Sequence, residues 1–181
     1  MNELDTIRKL YHSLGHKLLD NGITMCRKAY QVNPRTYTRS EILNFLTNQL
    51  NLPASTISLA DEIFYVETVD KWKTITEMDL LNYQKYLADI RDCDNYAMTF
   101  SARGSLIYGL NSCATAFGNI YDVNTKKLLF RHAFNLIITH ENGVLKLKIY
   151  EPQTDELKDW IKGGNNVLKI GIYKPDWCLL F

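Results

Sequence analysis

The sequence predicts an α+β fold, with helices first and an antiparallel sheet after them. Apolar residues recur every three to four positions through the first fifty residues, the period of a helix. From about residue 105 the pattern shortens to strand-like runs separated by turn residues. The chain has 181 residues and is 46% hydrophobic, long enough to bury a sizeable core. The division this suggests is a helical N-terminal segment over 1–52 and an α+β domain over 53–181, together one compact unit.

Residues 3–20 read as an amphipathic helix. Leu4, Ile7, Leu10, Tyr11, Leu14 and Leu18 form its stripe, and Asn21-Gly22 supplies a stop. Ile23 to Arg35 reads as a short helix followed by a loop. Thr38 or Ser40 caps the next helix, whose stripe is Ile42, Leu43, Phe45, Leu46 and Leu50, and Pro53 ends it. Ile63 to Val66 and the segment near Trp72 are β-prone. Thr76 or Glu77 opens a third helix carrying Met78, Leu80, Leu81, Tyr83, Tyr86 and Leu87. A fourth follows over 93–103, burying Ala97, Met98 and Phe100. Ala114 to Val123, Leu128 to Thr139, Val144 to Tyr150 and Val167 to Tyr173 are the expected strands.

Lys and Arg number 21 against 20 Asp and Glu, so no global field draws the chain to nucleic acid. The basic, Tyr-interleaved first third (Arg8, Lys9, Lys17, Arg27, Lys28, Arg35, Arg39) reads first as a solvated face. The apolar runs fall far short of a membrane span, and no leader pattern follows Met1, so a cytoplasmic protein is expected with neither nucleic-acid nor membrane partners. Cys26, Cys93, Cys113 and Cys178 form no CxxC and read as free thiols. His12 and His16 share a helical spacing but lack the Glu of HExxH. The glycines match no phosphate-binding pattern.

The most informative segment is the hairpin at 131–153. Asn142-Gly143 is a strong two-residue turn, and centring the pairing on it sets Ile138 opposite Leu147 and Leu136 opposite Ile149. Period-2 alternation then gathers His132, Glu151 and Gln153 at the open end of the apolar face. Asn135, Thr139, Lys146 and Lys148 take the opposite face, nearer water. A carboxylate beside an imidazole fixes its tautomer and stabilises its protonated form. Cys93, where a charged loop enters a helix, is the candidate nucleophile, because a helix N-terminus lowers a thiol's pKa. Asp92 and Asp94 on either side oppose that.

Three short words carry a resemblance: Asp92-Cys93-Asp94-Asn95-Tyr96-Ala97, His132-Ala133-Phe134-Asn135 and Ile149-Tyr150-Glu151-Pro152-Gln153-Thr154. Their order, thiol then His then acid, resembles papain-like cysteine peptidases. Within these it is similar to the peptidase domain of the fairy-ring mushroom agglutinin and its bacterial and phage relatives. The resemblance covers about residues 60–155. It implies a papain-like fold, a triad of Cys93, His132 and Glu151, and a protein or peptide substrate. It further implies calcium activation, for which Asp92 and Asp94, with Asp89 or Asn95, offer oxygens. Gln84 and Asn82 are the side chains available for an oxyanion hole. The lectin portion of that protein has no counterpart in this chain, so sugar binding is not carried over.

The expected function is therefore a cysteine hydrolase, a calcium-activated peptidase. The alternative is a papain-like module of phage or bacterial origin that binds or builds without catalysis, docking through 1–52.

Overall fold

The computed structural model describes residues 32–180 and, ahead of them, Leu14, Lys17, Asn21 and Thr24. The helix expected over 3–20, the segment from Ile23 and Cys26 thus lie largely outside the described residues. Strand β1 (Arg35–Thr38) leads into helix α1 (Arg39–Leu50), followed by β2 (Ile57–Leu59), β3 (Ile63–Val66) and α2 (Val69–Met78). Helix α3 (Cys93–Arg103) then precedes β4 (Cys113–Tyr121), β5 (Leu128–Glu141), β6 (Val144–Glu151) and β7 (Glu156–Asp159). Strands β8 (Asn166–Leu168) and β9 (Gly171–Leu180) complete the described elements.

The expected order of helices first and sheet afterwards is corrected by this arrangement. Nine strands accompany three α-helices among the described residues, and three of those strands lie among the helices. The described residues are predominantly β, organised round one seven-stranded mixed sheet rather than as an α+β papain-like molecule. Its order is β2-β9-β4-β5-β6-β7, with β8 also on β9, while β1 and β3 form a separate pair. Strand β2 runs parallel to β9, and the other pairings are antiparallel.

Both faces of the sheet are covered. On one, Ile42 and Leu46 of α1 and Phe64 and Val66 of β3 join Phe134, Leu136, Ile138, Ile149 and Tyr173. On the other, Trp72 and Ile75 of α2 and Tyr96 and Phe100 of α3 join Cys113, Ile137 and Tyr150. This double coverage explains why β5 is buried without a break from His132 to His140. It also corrects the expectation that Asn135, Thr139 and Lys148 lie nearer water: all three are buried. Asn135 Nδ2 donates to the Ala97 carbonyl at 2.9 Å and the Ala114 carbonyl at 3.2 Å, tying α3 to the sheet. The Lys148 ammonium pairs with Asp159.

The hairpin register is the one the turn dictates, with Ile138 opposite Leu147 and Leu136 opposite Ile149. Asn142 and Gly143 both have positive φ, 52° and 88°, as a type I′ turn requires. Two other expectations fail. The β-prone stretch round Trp72 is helical, because Trp72, Ile75 and Thr76 fall on one buried face of α2. The helix expected from Thr76 onward ends at Met78. Its supposed stripe becomes a loop with a single 3-10 turn at Leu81–Tyr83, leaving Met78, Leu80, Tyr83 and Tyr86 exposed. No described helix is long and apolar enough to cross a membrane.

Candidate functional site

Helix α3 places Cys93 at its first turn, after Asp92 in extended backbone at the N-cap. The Asp92 N–H donates to Asn95 Oδ1 at 3.2 Å. Packing of Tyr96, Ala97 and Phe100, together with the Asn135 link, sets this helix start against the open end of the β5–β6 hairpin. There β5 supplies His132 and β6 supplies Glu151. The three residues that the sequence grouped are brought together: Cys93 and His132 line one cleft, and Glu151 lies behind His132.

Glu151 is completely buried. One carboxylate oxygen receives His132 Nε2 at 2.7 Å and the Tyr173 hydroxyl at 2.8 Å. The other accepts the Gln153 backbone N–H at 3.2 Å. With Nε2 held by Glu151, Nδ1 is the ring nitrogen left for the thiol. The rings of Phe130 and Tyr173 meet His132 edge-on, each at 5.9 Å, and fix its plane.

The electrostatics follow from this chain of contacts. Burial alone pushes the Cys93 thiol up; bonding to His132 and the Ala133 backbone outweighs it, and the net shift is downward. Burial likewise disfavours the charged form of His132, but its bonds to Cys93 and Glu151 raise it to about 9. Both shifts favour a thiolate beside an imidazolium. Cys113 and Cys178 contrast sharply, since burial pushes each up to about 12. A thiolate at Cys93 can attack an electrophilic carbon, and the imidazolium can return a proton.

The cleft has a volume of about 420 Å³ and is lined by Tyr86, Phe130, Arg131, Gln153 and Ile170 besides Cys93 and His132. Arg131 is held by Asp176 in a two-point ion pair, at 2.9 and 3.0 Å. Gln84 and Asn82 lie elsewhere: Gln84 Oε1 accepts from Arg91 at 3.3 Å in a different cleft, and the Asn82 amide bonds Asp155. Gln153 shares the Cys93 cleft instead, and its Nε2 is buried without a hydrogen-bond partner among the described residues. Its position on the Glu151 face was legible from period-2 spacing, but its role was not. Nothing local in the sequence points to Tyr173, which reaches Glu151 from β9.

Asp92 and Asp94 lie together. A hydrogen bond between their carboxyls raises Asp92 above the usual carboxylate range. Calcium takes six to eight oxygens, and no group of three acidic, His or Cys side chains suited to a metal occurs among the described residues.

No family model matches the chain, and no curated protein matches it. Its fold does match solved structures. One, described as a PSL1a-E64 complex, has a TM-score of 0.54 and 21% identity, covering 80% of this chain and 51% of that chain. Another, Polyporus squamosus lectin bound to the human-type influenza-binding epitope Neu5Aca2-6Galb1-4GlcNAc, has a TM-score of 0.53 and 20% identity. It is covered over 49% of its length, and 80% of this chain is matched. The chain thus spans about half of these neighbours, and at such identity the likeness shows the fold alone.

These matches correct the family reading. Of the two, one is described as a lectin holding a sialylated glycan and the other as a PSL1a-E64 complex, and neither as a papain-like peptidase. The expected cysteine hydrolase activity, the enzyme assignment and the protein or peptide substrate rested on that family, and they are withdrawn with it.

Proposed function

We propose that the chain is a ligand-binding module whose cleft holds a reactive thiolate–imidazolium pair and takes up small electrophiles through Cys93. The supporting observation is the continuous Cys93–His132–Glu151 contact, which lowers the thiol and raises the imidazole. In the covalent step a C–S bond forms to the electrophilic carbon as its bond to the leaving atom breaks. Where that atom stays attached as an alkoxide, His132 supplies the proton. E64, present in one neighbour's complex, is a suitable probe, with iodoacetamide as the generic one.

The test is alkylation rate against pH, read by mass spectrometry, with calcium and with chelator. Among the described thiols, labelling confined to Cys93 and fast below about pH 7 is expected, with Cys113 and Cys178 silent. Cys93→Ala should lose the fast label and melt as the native chain does. Reaction at Cys93 no faster than at a model thiol would refute the reading.

A second reading, glycan binding, is favoured by the sialylated epitope held by the Polyporus squamosus lectin. Titration with that trisaccharide tests it. Saturable binding that survives Cys93→Ala would support it, and no binding at concentrations well above those of lectin–glycan pairs would dismiss it.

A further inference from the structure

We propose that a second cleft, between the start of β1, the N-terminus of α2 and the end of β5, binds a small oxyanion that carries a proton, of the hydrogen phosphate kind. This site is separate from Cys93 and does not rest on its chemistry. The cleft, of about 410 Å³, is lined by Arg35, Glu67, Thr68, Lys71 and His140. An adjoining one shares Arg35, Thr68 and His140 and adds Asp70, Glu141 and Asn142.

His140 is the key residue. It is 7% exposed, yet neither ring nitrogen has a hydrogen-bond partner among the described residues. A buried polar group without a partner is costly, so a ligand supplying one gains most of that back. A neutral imidazole offers one N–H and one lone pair, which suits a ligand that both accepts and donates.

The charges around His140 divide unevenly. Each acid already has a partner. Glu67 accepts the Asn33 N–H at 2.6 Å and the Thr68 N–H at 2.8 Å. Asp70 lies 3.7 Å from Lys73, and Glu141 lies 3.9 Å from Lys148. The Arg35 guanidinium has no ion pair among the described residues. It lies over the hairpin turn, where a Cβ at Gly143 would come within 2.3 Å of it. Thr68 makes no side-chain cap on α2, so the first N–H groups of that ten-residue helix are not capped from their own side, and their dipole favours an anion. Arg35, the start of α2 and one His140 nitrogen thus offer donors to the cleft, and the other His140 nitrogen an acceptor, beside a Glu67 carboxylate whose two partners are backbone N–H groups.

Titration of the full chain with inorganic phosphate at fixed ionic strength, followed by calorimetry and by the His140 ring resonances, tests the site. Saturable binding is expected, with the His140 signals shifting and chloride producing no such shift. Arg35→Gln and His140→Gln should each weaken it about tenfold or more, and neither should change Cys93 alkylation. Arg35 is exposed, so Arg35→Gln keeps the test valid even if His140→Gln folds poorly. No saturable binding, or native affinity in Arg35→Gln, would overturn the proposal.

Discussion

Both oxygens of Glu151 are occupied, and Tyr173 supplies one of the three donors. Tyr173→Phe leaves the ring packing in place and removes that donor. It should cost about 1.5–3 kcal/mol, the range for a bond to a charged group, measured by chemical denaturation. It should also slow Cys93 alkylation, since Glu151 then holds His132 less firmly. The pH dependence at this site has two parts of opposite sign. His132 rises from 6.5 to about 9 on folding, so its stabilisation is complete below 6.5 and is lost as pH rises through 9. Cys93 falls below its ordinary 9, so its stabilisation is present above 9 and is lost as pH falls through the folded value. From the higher of that value and 6.5 up to about 9 the folded pair binds one proton, as the unfolded pair does, and stability should be flat. A native chain that loses stability steeply across this interval would contradict the ion pair.

Helix α1 shows how far local sequence reaches at the level of single elements. Thr38 Oγ1 accepts the Glu41 N–H at 3.3 Å, and Glu41 accepts the Thr38 N–H at 2.7 Å, a reciprocal cap. Thr38→Ala should cost about 1 kcal/mol, checked by the shift in denaturation midpoint. That cap, the Asn142-Gly143 turn and the start of α3 at Cys93 were legible because each is written within a few residues. The register followed from the turn, and with it the meeting of His132 and Glu151. Helix α2 was misread because the β-propensity of its apolar residues outweighed the spacing of Trp72, Ile75 and Thr76. The expected strand from Val167 to Tyr173 is two, β8 and β9, which pair with each other through Leu168 and Gly171. The buried state of Asn135, Thr139 and Lys148 was not legible at all. It depends on α2 and α3 covering the second face of the sheet, a fact of tertiary packing.

For the molecule as a whole, the two cores on opposite faces set the stability. Leu46 of α1 is completely buried among residues from the sheet and β3. Leu46→Ala should cost about 2–5 kcal/mol, read from denaturant unfolding. If α1 were only loosely attached, the loss would stay below about 1 kcal/mol. The sheet order was beyond the reach of the sequence, because nothing local says that β9 lies between β2 and β4. That same strand carries Tyr173 to Glu151, so the missed contact and the missed topology have one origin.

The placement of β9 also bears on how the chain acquires its shape during synthesis. Strands β4 to β7 are successive neighbours and can pair as they emerge. β2 emerges much earlier, yet its sheet partner β9 is the last described strand, and Ile57 must wait for Cys178. Pairings so distant along the chain close slowly. Until β9 arrives, β4 and β2 each present an open edge, the kind of surface on which nascent chains stick to one another.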